Sequence, residues 1–206
     1  MVSCRLCYDQ HGIYNDISRY YFDCVSRGPG NLRSISIEFY TATGDAFLGL
    51  SPYPGPLSVD VIDLTFGFAN GTSFDILLNQ SQATFQPDGD GISSTYSPGD
   101  STSSFKVNAN LSHASLSIDA PDFGINGTIT LSSIAPPHAP GGTYTSKANL
   151  EVLPHLGWVN AIPDACAEVS FTVKDVDFQS TGVGYHDKNG GDQPFNQTID
   201  SWYWGH

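Results

Sequence analysis

Apolar and polar residues alternate in short runs between Gly-, Pro- and Asn-rich turns, and this pattern most constrains what the chain can fold into. Residues 32–41 show it cleanly, with Ile35, Ile37 and Phe39 at one parity and Ser34, Ser36 and Glu38 at the other. Successive side chains of an extended strand point to opposite faces, so a period of two argues for a half-buried strand. Similar runs occupy 18–26, 73–79, 103–111, 114–119, 125–132, 148–153, 157–162, 165–174 and 177–185. No apolar stripe of period 3.6 is long enough to make a substantial helix. Many short strands joined by tight turns predict an all-β, antiparallel sandwich or barrel. The buried set predicted from parity is Ile35, Ile37, Phe39, Leu64, Phe66, Leu116, Ile118, Val169 and Phe171.

The turns carry their own signals. Asn70-Gly71 predicts a two-residue hairpin. Pro87-Asp88-Gly89-Asp90-Gly91 reads as a turn and not as a calcium loop, because the twelve-residue ligand pattern is absent. Residues 43–56 and 135–142 read as loops, with His138 a solvated loop residue. Residues 57–68 change phase between Val61 and Ile62, which predicts a β-bulge, a device that curls a sheet towards a barrel.

With 206 residues, 39% hydrophobic and 12% aromatic, the chain can bury a full core as one large β domain or two small ones. A net charge of -13 with eight Lys plus Arg argues against nucleic acid or an anionic membrane as partner. No run is long enough to span a bilayer. Cys4 and Cys7 form a C-x-x-C with no second ligand pair at finger spacing, so no metal site is predicted. Cys24 and Cys166 fall in strand-like runs and are either a disulfide or two buried thiols. The first ten residues lack the apolar region of a signal peptide, yet sequons stand at Asn70, Asn79, Asn110, Asn126 and Asn196. Chance gives about two. Localisation stays open between cytoplasmic and secreted.

The residues with most chemistry lie late in the chain, in Gly184-Tyr185-His186-Asp187-Lys188-Asn189-Gly190-Gly191 and Trp202-Tyr203-Trp204-Gly205-His206. Polar groups beside large apolar faces are the usual lining of a small-molecule pocket. The structural alternative is a Gly-rich hairpin loop followed by a core strand. The final residues read as an apolar strand whose exposed edge would invite association.

These same residues carry a resemblance. The string G-Y-H-D-K-N-G-G, preceded by P-D-A-C-A-E-V-S-F-T-V and followed by S-W-Y-W-G-H, resembles the G-Y-H-D-x-N-W-G region of the fungal Diels–Alderase branch of the carotenoid 1,2-hydratase (hydroxyneurosporene synthase-like) superfamily. Tyr20-Tyr21-Phe22-Asp23-Cys24-Val25-Ser26 is similar to that family's W-Y-F-D-x-V-S strand. Gly190 stands where the family has Trp. The resemblance implies two lipocalin-like β domains with a ligand pocket between or inside them. It divides this chain into an extension at 1–17, a lipocalin-like domain at 18–185, and at 186–206 a loop that begins the connection to a second domain, or a partner chain, not present here.

The implied activity is a pericyclase-like cyclisation, Diels–Alder or hetero-Diels–Alder, of an apolar polyene of terpenoid or polyketide type in fungal secondary metabolism, with no cofactor. Tyr21, Phe22, Trp202 and Trp204 are expected to mould the substrate. Tyr185, His186 or Asn189 is expected to polarise a carbonyl, with Asp187 orienting His186. Two other readings remain. In a hydratase or isomerase of an isoprenoid, His186 or Asp187 would protonate an alkene. A lipocalin-like binder would need no catalytic group.

Overall fold

The computed structural model describes residues 17–28, 32–43, 46–47, 50, 58–145, 147–203 and 205. The 1–17 extension (Ile17 apart), Cys4, Cys7, Trp204 and most of the 43–56 loop lie outside the described residues.

The chain runs through β1 (Ile17–Ser26), β2 (Ser34–Thr43), β3 (Ser58–Gly67), β4 (Ser73–Gln80), β5 (Ala83–Asp88), β6 (Gly91–Tyr96), β7 (Thr102–Val107), β8 (His113–Ala120) and β9 (Ile125–Ser133). Short β10 (His138–Ala139), β11 (Gly142–Thr143) and β12 (Glu151–Leu153) lead into the long strands β13 (Leu156–Val173) and β14 (Val176–Gly191). The sheet order is β4-β3-β2-β1-β14-β13-β9-β8-β7-β6-β5, and every pair is antiparallel. The two ends of this order approach each other where Gln80 bridges Gly99 and Asp100 N donates to Asn79 O at 2.7 Å. The result is the predicted lipocalin-like barrel, nearly closed.

Its interior is filled by the alternating residues. All nine residues predicted as core are buried. Phe105 of β7 reaches across to Phe22 (5.4 Å between ring centroids), Phe39 (4.9 Å) and Tyr20 (4.8 Å), tying opposite walls together. A hairpin turns at Asn70-Gly71 as predicted, but its loop is the three residues 69–71 and not two: Phe68 N donates to Thr72 O, Gly71 N donates to Phe68 O, and Gly71 takes φ 84.

Several expectations need correction. The β2–β3 ladder runs without a register shift, so there is no bulge at Val61-Ile62. The phase change arises because β3 is buried on both faces: Ile62 faces the barrel interior, while Val61 packs with Ile17, Tyr40, Ala42, Ala46 and Leu50 outside it. The register shifts lie in β13 instead, between Asn160 and Ala165, where 157–162 and 165–174 join into one strand. The Gly184–Gly191 stretch is the end of β14 and not a loop, so the boundary drawn at 185/186 falls inside a strand. Its ladder partners β1 and β13 satisfy the backbone groups that a loop would leave to solvent. Residues 201–203 are not a strand. Trp202 is 45% exposed and leans on Phe195, and Tyr203 is 99% exposed. The 135–142 loop holds the two-residue strands β10 and β11, and His138 is exposed there. Cys24 and Cys166 are both free; Cys24 is buried and Cys166 exposed, because they sit on opposite faces of the sheet.

Phe105→Ala removes the ring that links both walls. It is expected to lower unfolding free energy by about 3–5 kcal/mol in urea titration. A loss below about 1 kcal/mol would show that the barrel interior is not the stabilising core.

Candidate functional site

The parity of β1 and β14 decides which of the candidate residues meet. In their ladder Arg19 pairs with Asn189, Tyr21 with Asp187 and Asp23 with Tyr185, so these six share one face. Phe22 pairs with His186 and Tyr20 with Lys188, on the face that lines the barrel interior. Tyr185, Asp187, Asn189 and Tyr21 are therefore brought together. His186 and Phe22 point the other way. Trp202 lies at the exposed edge beside Phe195, and Trp204 lies outside the described residues.

The outward face is polar and yet buried. Asp187 (1% exposed) accepts hydrogen bonds from Tyr185 Oη at 3.0 Å and Trp158 Nε1 at 3.1 Å. Its other oxygen lies 3.6 Å from Arg19 Nη1. The same Nη1 donates to Asn189 Oδ1 at 3.0 Å, and Arg19 Nε donates to Glu38, as does the Tyr40 hydroxyl. Tyr21 Oη donates to Asp23 at 2.9 Å, and its ring lies beneath the Arg19 guanidinium at 4.6 Å. Phe47 covers Arg19 from outside and packs edge-on against Phe195.

Burial draws the Arg19 pKa down, but Glu38, Tyr40 and Asp187 outweigh it and hold the guanidinium above its ordinary value. Burial, then Asp23 and Asp187 respectively, push the Tyr21 and Tyr185 hydroxyls well up, so both keep their protons. Burial, then Glu38 and Asp75, raise the neighbouring Asp63 carboxyl to about 6. Asn189 Nδ2, fully buried, has no hydrogen-bond partner among the described residues.

His186 is a different kind of residue from the one the sequence suggests. Asp187 does not orient it, because adjacent strand residues face opposite ways. Its Nδ1 donates to the Tyr21 carbonyl at 2.8 Å, and its ring stacks on Phe22 at 4.0 Å and 3°. Burial lowers its pKa to about 4, against the pull of that carbonyl. A neutral imidazole whose one proton is bound to a carbonyl cannot protonate an alkene at neutral pH, so His186 does not fit the general acid of a hydratase.

Sequence reading missed Arg19, Asp23, Glu38, Tyr40, Trp158 and Phe47. One signal was available: Arg19, Tyr21 and Asp23 repeat with period two along an otherwise aromatic strand. Gly190 has no left-handed φ, and a Cβ there would meet only Lys188 Nζ (3.4 Å) and Ile17 O (3.7 Å). An open cleft of about 480 Å³ further along the outer sheet face is lined by Thr128, Thr130, Glu168, Ser170, Gln179 and Thr181 among others.

Comparison with known proteins gives a consistent result. The Diels-Alderase-like family matches residues 16–204. The quinolone epoxide rearrangement protein asqO of Emericella nidulans is 33% identical over 189 residues, 91% of this chain and 49% of that protein. The Diels-Alderase cheD of Chaetomium globosum is 34% identical over 86 residues, 41% of this chain and 20% of that protein. Among solved structures, CghA with Sch210972 shares the fold at a TM-score of 0.67 and 20% identity, covering 87% of this chain and 46% of that one. The chain thus spans about half the length of the quinolone relative.

The His186 environment sets a pH dependence. Its folded pKa lies below the unfolded value of about 6.5, so the unfolded chain takes up a proton first and stability falls as pH drops from about 6.5 to 4. Asp63, raised to about 6, contributes the opposite slope between about 4 and 6. The comparison is therefore wild type against His186→Gln. The variant is expected to be less stable at pH 7.5, with the gap narrowing by about 2–3 kcal/mol by pH 4.5. A gap independent of pH, measured by chemical denaturation, would contradict a buried neutral His186.

Proposed function

The chain belongs to the Diels-Alderase-like family, and from that membership we propose that it acts in fungal secondary metabolism as a pericyclase, folding a polyene intermediate and closing it by a Diels–Alder or hetero-Diels–Alder reaction. The observation that carries the reading is the buried, mutually bonded polar set on the outward face of β1 and β14. Such a set is already oriented before a ligand arrives, which is what electrostatic stabilisation of a transition state requires.

In a concerted cycloaddition both new σ bonds, carbon–carbon or in the hetero case carbon–heteroatom, form from the ligand's own π electrons. The protein supplies shape and polarisation. Holding the diene and dienophile in a near-attack arrangement can lower the barrier by about 7–11 kcal/mol. Asn189 Nδ2 is the donor with capacity to spare, buried within the set and fixed in orientation because Arg19 engages Oδ1. It is suited to a dienophile carbonyl, whose oxygen gains electron density as the ring closes. Tyr185 and Trp158 hold Asp187, and Asp187 and Glu38 hold Arg19. Tyr21, Phe47, Phe195 and Trp202 offer aromatic surface around this set. On this reading a second lipocalin-like domain or a partner chain supplies the opposite wall, a view supported by the half-length match to the quinolone relative.

Rearrangement of an epoxide is a second reading, favoured by the 91% coverage in the asqO match. It needs a proton donor to the epoxide oxygen; Tyr185 is the nearest hydroxyl of the set, but burial and Asp187 hold its proton, so it would serve only after releasing that bond.

The test is turnover of conjugated polyenes bearing an activated carbonyl, followed by liquid chromatography with mass detection. The proposed reaction gives an isomer of the substrate, and a product heavier by one water would end it. Asn189→Ala is expected to lower kcat about tenfold, the value of one weakened hydrogen bond. Tyr185→Phe should do no more. A fall of about two to four orders of magnitude in Tyr185→Phe would instead favour the proton-dependent rearrangement.

A further inference from the structure

Lys188 lies on the opposite face of β14 from the polar set and takes no part in it. It pairs with Tyr20 in β1 and with Val159 in β13, both buried in the barrel core, so its side chain is directed along the interior wall. The ammonium sits over the Tyr20 ring, 5.3 Å from its centroid. Tyr20 stacks at 6.0 Å on Phe85, which is half-buried, and Phe85 lies edge-on to Tyr96 at 6.0 Å. Tyr20 and Tyr96 are buried, so the part of this aromatic row that reaches solvent is the half-buried Phe85.

Among the described residues nothing forms an ion pair or hydrogen bond with Lys188 Nζ. Described charged and titratable groups at this end of the barrel have partners of their own. Asp60 accepts from Thr41 Oγ1 at 2.7 Å, and Thr41 also contacts the Tyr96 hydroxyl at 3.3 Å. Asp192 is bonded to His155 at 2.9 Å, and His186 gives its proton to the Tyr21 carbonyl. The flank of the ammonium is open on one side because residue 190 is glycine, where a Cβ would lie 3.4 Å from Nζ. Ser18 stands opposite Gly190 in the ladder.

A half-buried cation beside an aromatic row, with no counter-ion among the described residues and a glycine at its flank, is an arrangement completed by an anion. We propose that Lys188 anchors a single anionic oxygen, carboxylate or enolate, on an otherwise apolar conjugated molecule lying against the half-buried Phe85 at the end of that aromatic row. Burial lowers the Lys188 pKa to about 8, so the anchor is mostly charged at pH 7 and is lost as pH rises through that value. The inference concerns equilibrium binding on the inner face and stands apart from the cyclisation assigned to the outer one.

The probes are cis-parinaric acid, a fluorescent polyene carboxylate, and its methyl ester, titrated into the full chain at pH 7. The acid is expected to bind at least about tenfold more tightly than the ester, as one charge-assisted hydrogen bond allows. Lys188→Met should remove that preference while keeping ester binding, and Lys188→Arg should retain it. The preference should shrink between pH 7 and 9. Equal affinities for acid and ester in the wild type, a preference unchanged in Lys188→Met, or binding of neither probe would each overturn the proposal.

Discussion

The antiparallel pairing of the first described strand with the last holds this molecule together and divides its chemistry. From Ile17 opposite Gly191 to Ser26 opposite Gly182, β1 and β14 run in unbroken register. That pairing closes the middle of the sheet between two strands about 160 residues apart in sequence, an entropic cost that only a large buried area offsets. Close approach of the strands depends on small residues. A Cβ on Gly182 would stand 2.0 Å from the Val25 carbonyl of β1, and one on Gly184 would press on Leu131 Cδ2 of β9 at 2.4 Å.

The pleat gives each strand two unlike faces. Inward, Phe22 and His186 stack and join the aromatic cluster around Phe105. Outward, Arg19, Asp187 and Glu38 form an ionic cluster that is mostly removed from water. Burying such charges costs several kcal/mol per ion, recovered only when geometry and hydrogen bonding are good. Tyr40, Tyr185, Trp158 and Asn189 supply that bonding here. A cluster of this kind on a sheet face is weak evidence of added stability and better evidence of a functional site. The two faces are mechanically linked, since inward His186 bonds the backbone carbonyl of outward Tyr21.

Period-two alternation made the fold class and the core readable, down to Phe39, Phe66 and Phe171. It failed where its premise failed. Val61 and Ile62 are both buried because a second apolar layer covers β3 from outside, and no single-face pattern describes that. The Gly184–Gly191 stretch looked like a loop because glycine is common in turns, whereas here glycines lie in a strand, two of them where neighbours press close. Of the candidate site, Tyr21, Tyr185, Asp187 and Asn189 were readable as a chemical group, but their neighbours Arg19, Glu38 and Trp158 come from three different strands. Only the ladder registers bring these together. His186 was assigned to the wrong face, because adjacency in sequence is separation across a sheet.

If the outward face of β1 and β14 is where the ligand lies, Trp158 should report on it, since its indole is bonded to Asp187 within the polar set. Trp158, Trp202 and Trp204 are the three tryptophans of the chain, so Trp202→Phe with Trp204→Phe leaves Trp158 as sole emitter. The direct measurement is a titration of this double variant with the isomeric product of its own turnover, followed by tryptophan emission and, in parallel, by calorimetry. The account predicts a saturable change in Trp158 emission with the same midpoint as the heat. Calorimetric binding with no change in Trp158 emission would place the ligand elsewhere and contradict it.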